Sequence, residues 1–159
     1  MLEGFTDSDM SGDVDSSRST SGYMMTYAWR VVSWQSRLQK VVALSTTEAE
    51  YMGVVEARKE LIWMRSFLSD VGMKQGEFLL HCDSHSATHL AKKAAYHSQT
   101  KHIQRMYHWL REKVDEGEFT LVKIHTDDNG SDMLTKNLPM DRLRVCRQKT
   151  RLTDSLPQE

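Results

Sequence analysis

Residues 43–68 read ALSTTEAEYMGVVEARKELIWMRSFL, and their spacing predicts a long amphipathic helix. Ser45 is placed to cap the first turn through its hydroxyl, with Glu48 reaching back to the N–H of Ser45 in a capping box. Val54, Ala57, Leu61, Met64 and Leu68 recur at steps of three and four, a stripe that only burial satisfies. Carried one step back, the stripe reaches Glu50. A carboxylate on the buried side of a first turn must find a cation, a metal or a donor, because an unpaired buried charge is too costly to keep. The plainer reading is a glutamate that snorkels to solvent at the helix end. Glu50, not Glu48, is therefore the glutamate that needs an explanation.

Upstream, Gly4–Asp9 (GFTDSD) reads as a strand ending in acids, followed by a polar loop through Ser21. Tyr23–Tyr27 and Val31–Trp34 read as two strands, and Val41–Leu44 as a third β-rich run leading into the helix. Downstream, Gly72 and Gly76 close the helix, and Phe78–Cys82 is an apolar strand that delivers Asp83. Asp83 also suits the N-cap of a helix over Ser84–Lys93. Ile103, Tyr107, Leu110 and Val114 mark a further amphipathic helix ending near Gly117, and Phe119–His125 a last strand. After a loop at Thr126–Ser131, Asp132 opens a C-terminal helix in DMLTKNL, and Pro139 interrupts it before a basic helical tail. This order implies an α/β fold, a mixed sheet flanked by helices, whose chemistry gathers at the carboxyl ends of strands.

A chain of 159 residues suits one domain, taken as 1–150 with a disordered tail at 151–159. No apolar run approaches the ~20 residues that span a bilayer, no N-terminal signal segment is visible, and no membrane partner is expected. Cys82 and Cys146 fall in a strand and a basic helix, which fits reduced thiols and a cytoplasmic or nuclear location. The net charge of −1 hides an asymmetry. Asp7, Asp9, Asp13 and Asp15 crowd the N-terminal end, whereas lysines and arginines load the second half, as an acidic pocket beside a basic surface would require. A solvated helical face with mixed charges is the commoner explanation of any single one of those basic runs.

Asp7, Glu50, Asp83 and Asp132 come from four separate segments, each at a strand end or in a first helical turn. If they converge, hard oxygen ligands suit Mg²⁺ or Mn²⁺, and two such ions ~3.5–4 Å apart clamp the attacking and leaving oxygens of a phosphodiester. As bare spacing the signal is weak, since aspartates also cap helices and end strands. A calcium loop is disfavoured: Asp7, Asp9 and Gly12 match its first half, but Arg18 stands where a bidentate glutamate belongs. Zinc at His85, His89 and Cys82 is disfavoured too, because strand alternation turns Cys82 away from Asp83.

The blocks GFTDSD, RSTSGY, SWQS, VALSTTEAEY, HCDSHSATHLAK, HSQTKHI, YHWLRE and DMLTKNLP, in this order and spacing, resemble the ribonuclease H domain that ends plant copia-type retrotransposon polyproteins. The resemblance runs from Gly4 to about Lys149 and implies a ribonuclease H-like fold with a five-stranded mixed sheet. It implies hydrolysis of the RNA strand of RNA–DNA hybrids by two Mg²⁺ ions, with Mn²⁺ able to substitute, beside a reverse transcriptase domain. The family's metal-binding acids fall on Asp7, Glu50, Asp83 and Asp132; Glu50 is selected over Glu48 because it directly precedes a large apolar residue, Tyr51. Thr46 and Thr47 fall where ribonucleases H meet RNA 2′-hydroxyls, and Lys101 and Arg105 where a basic block would contact phosphates.

Departures from the family pattern touch substrate handling. Met10 stands for Trp, His85 for Asn or Gln, and Gln99, Gln104 and Met106 for Arg, Asp and Arg. No basic protrusion is visible, and His125 is a weak candidate for product release. A reading from another class is a host-retained, catalytically weak module that binds nucleic acid or a protein; the altered Gln99–Met106 block favours it, and the intact acids oppose it.

Overall fold

The computed structural model describes residues 1–73, 76–84 and 101–150, those at 101–104 by their backbone alone. Strands β1 (Leu2–Asp9), β2 (Thr20–Tyr27) and β3 (Arg30–Leu38) form an antiparallel meander. Helix α1 (Thr46–Asp70) crosses to β4 (Leu79–Cys82), and helix α2 (Lys101–Asp115) precedes β5 (Thr120–Lys123). Two 3₁₀ turns, Thr126–Asp128 and Gly130–Leu134, lead to α3 (Met140–Lys149). The strands lie in the order β3-β2-β1-β4-β5, with β4 parallel to both β1 and β5. The five-stranded mixed sheet implied by the resemblance is therefore present.

The foreseen stripe of α1 is buried along its whole length, packed with Leu2, Tyr23 and Met25 of the meander, Leu80 of β4 and Leu121 of β5. Helix and sheet approach each other closely at Gly53. A Cβ there would lie 2.5 Å from Ser8 Oγ, 3.2 Å from Thr6 Oγ1 and 3.4 Å from the carbonyl oxygen of Asp7. Such proximity brings the first turns of α1 onto the end of β1. Tyr51, almost fully buried, donates from its hydroxyl to the Met106 carbonyl at 3.0 Å and packs its ring 4.0 Å from that of Tyr107, fastening α2 to the same turns. Met106 packs half-buried against the apolar core, so its departure from the family's arginine serves packing.

Several expected elements differ. Val41–Leu44 is not a strand but the connection from β3 to α1: Ala43 is buried while Val41, Val42 and Leu44 are exposed. Its β-branched residues have no neighbouring strand to pair with, and β3 instead runs on to Leu38 as the sheet's edge. Strand β5 is shorter than Phe119–His125. The capping box is offset: the Glu48 N–H donates to Ser45 Oγ at 3.1 Å, but Glu48 Oε2 accepts from Leu44 N–H at 3.0 Å, not from Ser45. The helix expected over Ser84–Lys93, all but its first residue, and the tail beyond Thr150 lie outside the described residues.

Candidate metal centre

Asp7 lies near the carboxyl end of β1, and Asp83 follows β4, its parallel neighbour, directly. Adjacent parallel strands thus present two carboxylates at one edge. The early turns of α1 add Glu50, and the turn Gly130–Leu134 adds Asp132. Ligand oxygens of Asp7, Asp83 and Asp132 lie within 4.8 Å of one another, and so do one oxygen each of Glu50 and Asp83 and the sulfur of Cys82. Asp83 belongs to both groups. All four predicted acids therefore gather at the carboxyl end of the two parallel strands.

Asp132 does not open an α-helix, as expected, but sits in a 3₁₀ turn. Buried Asn129 explains the difference: its Oδ1 accepts from the N–H and hydroxyl of Ser131 at 3.2 and 2.6 Å, while its Nδ2 donates to the Thr6 carbonyl at 3.1 Å. One side chain thus shapes the turn and ties it to β1 beside Asp7. Gly22 of β2 permits the same approach, since a Cβ there would lie 2.7 Å from Leu134 Cβ and 2.8 Å from Thr135 Cγ2. Cys82 is also corrected. Its sulfur falls beside the Asp83 carboxylate because Asp83 lies past the last paired residue of β4, where strand alternation no longer holds. Burial and the Glu50 charge push the Cys82 thiol up, so it remains protonated.

The electrostatics are uneven. Asp7 is fully buried; it accepts from the Thr135 hydroxyl through Oδ2 and from Lys136 Nζ through Oδ1, the latter at 3.0 Å. Lys136 Nζ also donates to Asp132 Oδ1 at 3.3 Å, and Arg142 Nη2 of α3 donates to Asp132 Oδ2 at 3.2 Å. Burial and the Asp7 charge raise the pKa of Asp132, against the opposing pull of Lys136. Glu50 stands apart. Its Oε2 is buried with no hydrogen-bond partner among the described residues, and its pKa is pushed up to about 9 by burial first, then by the charges of Asp7 and Asp83. A carboxylate oxygen left orphaned in this way, among three other acids, gives oxygen donors of the kind that a hard divalent cation takes.

The expected substrate contacts divide. Thr46 is exposed and Thr47 half-buried in the first turn of α1, one turn from Glu50. Arg105 is exposed on α2, and Lys101 begins that helix with its side chain outside the described residues. His125 is exposed, its Nδ1 accepting from the Asp127 N–H at 3.2 Å. Sequence reading missed Asn129, Thr135, Lys136 and Arg142. Only Lys136 carried a signal, four residues beyond Asp132 and so one helical turn away.

No family model matches the sequence. Over 148 residues, 93% of its length, the chain is 48% identical to the retrovirus-related Pol polyprotein from transposon TNT 1-94 of Nicotiana tabacum, of which it spans 11%. Its fold is similar to that of LC11-RNase H1, solved in complex with an RNA/DNA hybrid, with a TM-score of 0.63 at 15% identity over 85% of this chain and 94% of that one. Prototype foamy virus protease-reverse transcriptase matches with a TM-score of 0.50 at 16% identity, covering 96% of this chain and 21% of that one. The strand order and these likenesses identify the fold as that of ribonuclease H and the chain as a homologue of a segment of plant retrovirus-related Pol polyproteins from transposons.

Proposed function

We propose that the chain hydrolyses the RNA strand of RNA–DNA hybrids at the centre formed by Asp7, Glu50, Asp83 and Asp132, using two Mg²⁺ ions that Mn²⁺ can replace, as one part of a reverse-transcribing polyprotein. The observation that carries this reading is the orphaned Glu50 oxygen among three other gathered carboxylates, an arrangement costly to keep without a cation. Asp83, shared by the two groups of ligand atoms, is the candidate bridging ligand. Divalent ions held by these four acids would supply Lewis acidity for the attack of water and offset the charge that builds up on the phosphate.

The chain's own residues do the rest. Asn129 and Gly22 hold Asp132 against β1, and Gly53 lets α1 bring Glu50 to the same place. Thr46 and Thr47 offer hydroxyls one turn before Glu50, suited to the 2′-hydroxyls that distinguish RNA from DNA, and Lys101 and Arg105 would meet phosphates. With the four acids holding the ions, no covalent intermediate would be needed.

The direct test incubates the protein with a labelled RNA–DNA hybrid. Cleavage of the RNA strand is expected with Mg²⁺ or Mn²⁺ and none with chelator, while double-stranded DNA stays intact. Hybrid binding without cleavage in either ion would replace this reading with that of a catalytically weak binding module.

A further inference from the structure

Among the described residues, the cations that donate hydrogen bonds to the acid cluster do so at Asp7 and Asp132. On the Glu50 side, the buried Oε2 has no hydrogen-bond partner among the described residues. On the other, Lys136 Nζ bridges Asp7 Oδ1 at 3.0 Å and Asp132 Oδ1 at 3.3 Å. These two side chains are 0% and 3% exposed, so the ammonium is a principal source of charge compensation for them, with Arg142 serving the far oxygen of Asp132. Lys136 itself keeps 35% of its side chain in solvent. The lysine thus links the buried pair to solvent.

We propose that Lys136 is an intrinsic counter-ion: it occupies the Asp7–Asp132 half of the centre in the metal-free protein and must leave before a divalent ion can enter that half. The proposal rests on the metal-dependent reading above. Its physical basis is that the ammonium and a divalent ion need the same oxygens. A lysine offers one positive charge on a flexible four-carbon stem, whereas Mg²⁺ brings two charges and demands oxygen donors at about 2.1 Å. Both cannot hold Asp7 Oδ1 and Asp132 Oδ1 together, yet without either the two carboxylates would repel each other in a largely dry setting. Lys136 therefore keeps the empty site folded at the expense of metal affinity. The Glu50–Asp83 half, which Lys136 influences by its charge but to which it donates no hydrogen bond, fills at the lower metal concentration.

Two measurements without substrate test the exchange. In the first, Mg²⁺ is titrated against thermal melting for the wild type, Lys136→Met and Lys136→Arg. Lys136→Met is expected to melt lower than the wild type in chelator and to reach half its Mg²⁺-induced shift at an about tenfold lower Mg²⁺ concentration. Lys136→Arg, which keeps the charge, should stay near the wild-type midpoint. The second uses the wild type alone, so it stands even if Lys136→Met fails to fold. An amine-reactive reagent, read by mass spectrometry, should label Lys136 faster as Mg²⁺ is added, while an exposed lysine such as Lys59 stays constant. If Mg²⁺ stabilises the wild type and the hybrid is cut, but the Lys136→Met midpoint is unchanged or higher, or Lys136 labelling is flat, the exchange is refuted and the metal-dependent reading survives. If Mg²⁺ shifts none of the three proteins, both fall.

Discussion

Glu50 shows how one residue couples the site to the stability of the molecule. Its carboxyl titrates at about 9 in the metal-free native protein, raised by burial and then by Asp7 and Asp83, whereas the unfolded chain gives up that proton near the ordinary glutamate value. Between those two values the native state binds more protons, so stability falls as pH rises. Asp132, also raised, adds the same sign. His81, held below the ordinary histidine value by burial, titrates beneath the window of interest. From pH 7 to 8.5, melting in chelator is therefore expected to drop for the wild type and to drop less in Glu50→Gln, where the raised Cys82 thiol still adds to the slope. Glu48→Gln, which weakens only the N-terminal cap, should keep the slope and lose about 1 kcal/mol or less. Equal slopes in the wild type and Glu50→Gln would show that Glu50 is not the proton-holding acid. The placement of Glu50 was legible because a helical stripe fixes which side of the helix a residue occupies. Asn129, Thr135 and Arg142 were not legible, since their hydrogen bonds exist only once the final turns have been laid against β1.

Among the elements, the hairpin between β2 and β3 departs from its ideal chemistry at both connecting residues. Its two connecting residues, Ala28 and Trp29, have φ of 49° and 66°, a left-handed pair that two-residue hairpins favour but that Asn and Gly occupy with less strain. Replacing them together, Ala28→Asn with Trp29→Gly, is expected to stabilise the protein by about 1 kcal/mol or more and raise its melting temperature by a few degrees. Unchanged or lower melting would mean that the Trp29 side chain offsets the strain through contacts in the hollow it lines with Phe5, Met24 and Lys149. Legibility at this scale followed burial. Helix α1 and strands β1, β2 and β4 declare themselves through apolar periodicity. The Val41–Leu44 run misleads because β-branched residues signal a pleated, half-buried surface, and no strand lies beside it to make one.

Across the whole molecule, the acid centre joins the first strand to the last turns: Asp7 accepts from Thr135, 128 positions later, and Asn129 reaches back 123 positions to Thr6. A chain ended after Lys123 would contain the residues of all five strands but not Asp132, Lys136 or the segment that covers Met24 and Gly22. It is expected to lose cooperative melting and all hybrid cleavage, as circular dichroism and the cleavage assay would show; retention of the wild-type Mg²⁺ shift would mean that Asp7, Glu50 and Asp83 form the site unaided. Contacts of such long sequence separation form late, after the loops between them have closed. The two ends of the chain thus act as the two keys of a double lock. A partly synthesised or clipped copy would carry most of the acids without the turn that sets Asp132 beside Asp7, so that the acid centre is complete only once these turns have returned to the first strand.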